Sequence, residues 1–137
     1  MTLYHALRIS ASGLSAQRVR LNTTASNIAN AETTRTAEGG PYRRRDPVLV
    51  ASSFAGALDG AVRGVEVARV ATDTDPPRMV HDPDHPDADA EGMVAMPNVN
   101  PVEEMVNLLT EQRAFEANTT AFKAAKDMVS KALELMR

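Results

Sequence analysis

The chain contains no cysteine and no tryptophan. Without cysteine it forms no disulfide and offers no thiolate metal ligand. Other aromatics are scarce too, with two tyrosines (Tyr4, Tyr42) and three phenylalanines (Phe54, Phe115, Phe122). Aromatic rings carry much of the burial energy of a globular core, so aliphatic side chains and methionine must supply the packing here, which favours helix on helix. No stretch approaches the roughly 18 apolar residues that a membrane span requires. Met1 to Ser12 lacks the basic start and apolar run of a secretory signal. The expectation is therefore a chain that is cytosolic or exported by a route that reads something else, with no direct membrane insertion.

Charge of one sign is missing locally rather than globally. The formal net charge is −3 over 137 residues, a length suited to one domain. Residues 1–45 hold seven Arg against two Glu, whereas residues 46–92 hold ten acids against three Arg. A basic first third followed by an acidic middle suits contacts between copies better than nucleic-acid binding.

Neither end carries a helix breaker over a long span. Residues 3–29 contain no proline and only Gly13. Leu7, Leu14, Leu21 and Ile28 recur every seven residues, while Ser10, Gln17 and Thr24 keep the stripe narrow. Such a stripe reads as a coiled-coil-like seam. The second long helix begins at the clearest start signal in the chain: Asn100 as N-cap, Pro101 at the first helical position and Glu103 placed for a capping box. It runs to Met136 with Leu108, Phe115, Phe122, Val129 and Met136 in heptad register. The stripes suit either an intramolecular helical hairpin or partners outside the monomer, and a helix this long in so short a chain argues for the latter. Narrow stripes leave long helices marginal in water, so both termini are expected to be loose in the free monomer and to fold on assembly.

Between the helices the chemistry changes. Asn27, Asn30, Thr33, Thr34, Gly39, Gly40 and Pro41 are turn formers, and the run Arg43–Arg45 follows them. Short strands are predicted at Val48–Val50, at Val65 and Val67 with Val70–Ala71, at Met79–Val80 and at Met93–Met96. The Gly- and Ala-rich stretch Ala55–Gly64 reads as mobile. The fold class is thus mainly α with a small β region, two long terminal helices bracketing a short-stranded insert. The divisions are 1–30 and 98–137 for the helices and 31–97 for the loop and β segment.

Catalysis finds no support, and no cofactor or small-molecule substrate is implied. Ser10, Ser12 and Ser15 lie on a helix, where they allow close helix approach, and no Gly-x-Ser-x-Gly turn exists. The lone His5 suits an interface. Gly39-Gly40-Pro41 lacks the Lys-Ser/Thr of a phosphate cradle. The segment His81–Gly92 is dense in carboxylates, and Asp87, Asp89, Glu91 and Gly92 match the first half of a calcium loop. Asn98 stands where the bidentate Glu is needed, and Pro97 precedes it. The reading is a solvated acidic loop, not a metal site, and a metal- or anion-regulated adaptor is the competing function. Arg43, Arg44 and Arg45 without stacking aromatics beyond Tyr42 speak weakly for nucleic acid. Asp87 and Asp89 on a neighbouring copy are better electrostatic partners for them.

The two ends carry a resemblance. Ile9-Ser10-Ala11-Ser12-Gly13-Leu14 and Ser26-Asn27-Ile28-Ala29-Asn30-Ala31-Glu32-Thr33 resemble the amino-terminal signature of bacterial flagellar rod and hook proteins, with its Ala-Asn-x-x-Thr element on Ala29, Asn30 and Thr33. Asn98-Val99-Asn100-Pro101-Val102-Glu103-Glu104-Met105, continuing through Arg113, Ala114, Phe115, Glu116, Ala117 and Asn118, resembles the carboxy-terminal signature. Glu38–Arg44, His85–Asp89 and the short middle look like the short proximal-rod members, with another rod or junction protein as the alternative. The resemblance implies a non-enzymatic subunit of the basal-body rod in the periplasm, exported by the flagellar type III apparatus. Its partners would be other copies and other rod proteins, with the helices in an inner tube and the loops and strands outside.

Overall fold

The structure, a computed structural model, describes residues 3–53 and 63–135. Helix α1 spans Leu3–Ala29, and helix α2 spans Pro101–Leu135. Among the described residues, four strands lie between them: β1 Arg45–Ser53, β2 Arg63–Thr72, β3 Arg78–His81 and β4 Met93–Met96. Most of the stretch predicted to be mobile, residues 55–62, lies outside the described residues, as do Phe54 and Met136; Arg63 and Gly64 open β2. No helix among the described residues is long and apolar enough to cross a membrane.

The helix ends follow local chemistry. Asn100 caps α2 by accepting the Val102 N–H on its side-chain oxygen at 3.1 Å. Glu103 and Glu104 then place two acids in the first turn, where the helix dipole favours them. At the far end of α1 the hydrogen bonding tightens, with the Ala31 N–H on the Ile28 carbonyl and the Thr33 N–H on the Asn30 carbonyl. The Asn30 side chain donates to the Ser26 carbonyl and accepts from the Thr33 hydroxyl. The chain then reverses through Thr36–Gly40, where Gly39 and Gly40 adopt positive φ, a region costly for residues bearing a Cβ.

The strands form two separate antiparallel pairs, β1 with β2 and β3 with β4. In the longer ribbon Arg45 pairs with Thr72 and Ser53 with Arg63. Val48 opposes Arg69 while Leu49 opposes Val67, so Ala68 is the extra residue of a bulge that sharpens the twist. The ribbon lies along α1, and the Val65 N–H donates to the Ser12 hydroxyl at 3.1 Å. An isolated two-stranded ribbon is marginal in water, and α1 supplies its missing support.

The helices pack antiparallel, with Asn27 and Thr24 of α1 meeting Glu104 and Glu111 of α2 and Gly13 meeting Asn118. Their contact is not built on the leucine stripe. Leu7, Leu14, Leu21 and Ile28 are half-buried, as are Leu108, Phe115, Phe122 and Val129. The fully buried positions are Ala16, Thr24 and Asn27 on α1 and Glu104, Glu111 and Ala125 on α2. Small and polar residues hold the centre of the pair, and the large apolar ones sit at its margin.

Gly13 marks the close approach. A Cβ there would stand 3.1 Å from the Asn118 amide nitrogen, the free end of a side chain that can shift slightly. Replacing a mid-helix glycine by alanine gains about 1 kcal/mol in propensity. Gly13→Ala is therefore expected to hold or raise the melting temperature, whereas Gly13→Leu, which must separate the helices, lowers it.

Candidate functional site: a polar hub between the helices

The largest side chains that are almost completely buried include Glu104 and Asn27, at 2 % and 1 % exposure. Buried polar groups persist only when hydrogen-bonded, and the Asn27 carboxamide uses its full capacity. Its nitrogen donates to the Arg45 carbonyl at 2.8 Å and to Glu104 Oε2 at 3.0 Å. Its oxygen accepts the Arg45 N–H at 3.0 Å and the Tyr42 hydroxyl at 2.9 Å. With two donations and two acceptances, nothing on the amide is left over.

Glu104 closes the hub. Its second oxygen accepts Arg44 Nε at 2.9 Å, a charge-assisted bond of the stronger kind. Burial opposes the charge on Arg44, but the bond to Glu104 and the nearby Asp46 and Glu103 outweigh it, so the guanidinium is held above its ordinary pKa. Tyr42 packs with Ala31 and Val99 in a small apolar cluster, and Arg45 lies over its ring, 5.7 Å from the centroid. One hub thus joins the end of α1, the exit loop, the start of β1 and the start of α2.

A second ionic layer lies one heptad further along α2. The Thr24 hydroxyl donates to Glu111 Oε1 at 3.2 Å, and Arg20 Nε approaches the same oxygen at 3.2 Å. Among the described residues, buried Glu111 Oε2 and Gln17 Oε1 have no hydrogen-bond partner. Burial raises the Glu111 pKa above its ordinary value, and the bond from Thr24 and the charge of Arg20 only partly oppose this.

The outer loops form a smaller clamp. Asp87 accepts the Thr34 hydroxyl at 2.8 Å and pairs with Arg35, fastening the exit loop to the segment between β3 and β4. Asp89 accepts the backbone N–H groups of Glu91 and Met93. The Asp87 N–H donates to His85 Nδ1. Of the calcium-like stretch, Asp87 is thus committed to the exit loop and Asp89 to its own loop, and no cluster of three or more potential metal ligands occurs among the described residues.

The residues singled out from the sequence fall in three places. Ala29, Asn30 and Thr33 shape the end of α1 and the turn after it, and Asn100, Pro101 and Glu104 start α2 and enter the hub. Met105, Arg113 and Glu116 lie exposed on α2, while Asn118 is half-buried against Gly13. Of the basic triplet, Arg44 is turned inward to Glu104 and Asp46, Arg45 covers Tyr42, and Arg43 reaches the Asp73 carbonyl at 3.4 Å. Asn27, Tyr42, Thr24, Arg20 and Glu111 were not singled out as site residues. The available signal was the seven-residue spacing of Glu104, Glu111, Asn118 and Ala125, set against a first helix with three arginines and no acid.

The chain has a long helix at each end and a buried polar hub where the two meet, and comparison with known proteins places it in the class of flagellar basal-body rod proteins. Residues 7–35 match the family described as flagella basal body rod protein, and residues 90–135 match the carboxy-terminal family of flagellar basal body rod FlgEFG proteins. The chain is 44 % identical to the flagellar basal-body rod protein FlgC of Bacillus subtilis (strain 168), over 98 % of this chain and 99 % of that one. It is 38 % identical to FlgC of Borreliella burgdorferi over 100 % and 99 % of the two chains, and 40 % identical to FlgC of Salmonella typhimurium over 98 % of each. The chain belongs to the FlgC family of flagellar basal-body rod proteins.

Two measurements probe the hub. Asn27→Ala strands the Arg45 backbone and one Glu104 oxygen and is expected to cost about 3 kcal/mol in chemical denaturation, against about 1 kcal/mol for Tyr42→Phe. The second concerns pH. Because folding raises the Glu111 pKa, its favourable contribution is full below the unfolded carboxylate range and is lost as pH rises through the raised value. Glu111→Gln is therefore expected to melt higher than the parent at neutral pH, with the difference shrinking on acidification.

Proposed function

We propose that this chain is a structural, non-catalytic subunit of the proximal rod, assembling through its terminal helices with copies of itself and with other rod proteins. The assembled helices line a hollow axial tube, and the exit loop and β ribbon form its outer layer. The tube transmits motor torque and conducts subunits exported later. The chain itself reaches the periplasm through the flagellar type III export apparatus.

One observation supports this most. Among the described residues, fourteen large apolar side chains are exposed whereas, of comparable size, Tyr42, Val94 and Val99 are buried, so more large apolar side chains lie outside than inside. Apolar exposure on that scale marks interaction surface. The hub end of the helix pair is ordered in the free subunit, because its polar groups are already satisfied. The distal ends complete their folding on assembly: Lys126–Leu135 are exposed except for half-buried Val129. Arg43 and Arg45 face the acidic loop of a neighbouring copy, where Asp82, Asp84 and Glu91 are exposed.

The test is complementation of a strain lacking its own FlgC. Leu14→Asp or Phe115→Asp is expected to abolish rod assembly and swimming while leaving a soluble chain. Combined Asp89→Ala and Glu91→Ala is expected to impair swimming far less than either helix variant. Normal motility from either helix variant contradicts the reading.

A further inference from the structure

Two surfaces on this chain match each other and cannot meet within one copy. Val102, Met105, Val106 and Leu109 fall at positions i, i+3, i+4 and i+7 of α2, and all are exposed, from 53 % at Met105 to 69 % at Val102. They form one apolar stripe on the side of α2 opposite Glu104 and Glu111, which face α1. The second surface is an open groove of about 290 Å³ between the helices, lined by Ala11, Leu14, Ser15, Arg18, Phe115 and Phe122. Ala11 and Ser15 are exposed and small, leaving room for a helix to approach closely, and the leucine and two phenylalanines give the groove an apolar floor.

Charge selects the occupant. Helix α1 carries three arginines and no acid. Arg20 is paired with Glu111 and Arg8 lies over Tyr4, but Arg18, at the groove, has no ion-pair partner among the described residues. Glu103 is exposed beside Val102; it lies near enough to Arg44 to help raise its pKa but forms no salt bridge among the described residues. We propose that the Val102–Leu109 stripe of one copy seats in the Ala11–Phe122 groove of the next copy, with Glu103 of the first against Arg18 of the second. The inference rests on the rod reading and names the faces through which copies join. The contact is heterologous: each copy offers a stripe and a groove on different faces, so successive copies add head to tail and give a ring or an open helix rather than a closed dimer.

The absence of native cysteine permits a direct test in full-length chains. Ser15→Cys and Leu109→Cys chains carrying different tags are co-expressed in a strain lacking its own FlgC, and isolated basal bodies are oxidised. The expected product is a disulfide between the two tagged chains, in several-fold excess over either homotypic pair. Introducing Arg18→Glu into both chains reduces that product several-fold, and adding Glu103→Arg restores it. If both chains are present in basal bodies but the mixed disulfide is no more abundant than the homotypic ones, the pairing is wrong while the rod reading stands. Cross-linking of the Ser15→Cys chain chiefly to a different protein overturns the choice of a second copy. Failure of tagged parent chains to enter basal bodies overturns the rod reading and this inference together.

Discussion

The first helix, the exit loop, the first strand and the second helix all meet at the Asn27 carboxamide. It grips both the N–H and the carbonyl of Arg45, so the first residue of β1 is paired to a helix side chain as it would be to a neighbouring strand. The same amide holds Tyr42 from the exit loop and Glu104 from α2. Alanine would leave buried groups unpaired; aspartate would lose both donations and set a second carboxylate against Glu104. One amide group thus ties the path by which the chain leaves the first helix to the start of the second.

A core of this kind specifies geometry more than it stabilises. A buried ion pair returns little net free energy over an apolar substitute, and the half-satisfied Glu111 lowers the return further. That balance suits the subunit proposed above, in which exposed apolar side chains serve neighbouring chains. Had the leucines and phenylalanines filled the centre of the helix pair, the monomer would be firmer and its outer faces less adhesive. With small and polar residues at the centre, the helices approach closely, and Leu14, Phe115 and Phe122 stay at the margin, where another chain can reach them.

Much of the architecture could be read directly from the residues. The absence of Pro over residues 3–29, the Asn100–Pro101 start and the turn residues from Asn30 to Pro41 placed both helices and the exit loop. The four strand segments were also legible, because valine and methionine clusters alternate with Gly and Pro there. The interior was not. Periodicity is sought among apolar residues, so Glu111 was passed over and Glu104 entered only through the carboxy-terminal signature, although both hold buried positions of α2. Asn27 read as a turn former because asparagine usually is one; its fourfold bonding depends on Arg45 and Glu104, which are distant in sequence. Arg44 read as an outward charge for the same reason, since its partner lies sixty residues away.

The most direct measurement of the hub's role is amide hydrogen exchange on the full-length chain, free and in assembled basal bodies. In the free chain the Arg45 N–H, held by a buried side chain, should be protected as strongly as the amides of α1 around Thr24. Protection along α2 should fall toward Lys131–Leu135 and rise there only on assembly. Exchange of the Arg45 amide at the rate of an open loop, or equal protection along the whole of α2 in the free chain, would contradict a subunit fixed at its hub and completed by its neighbours.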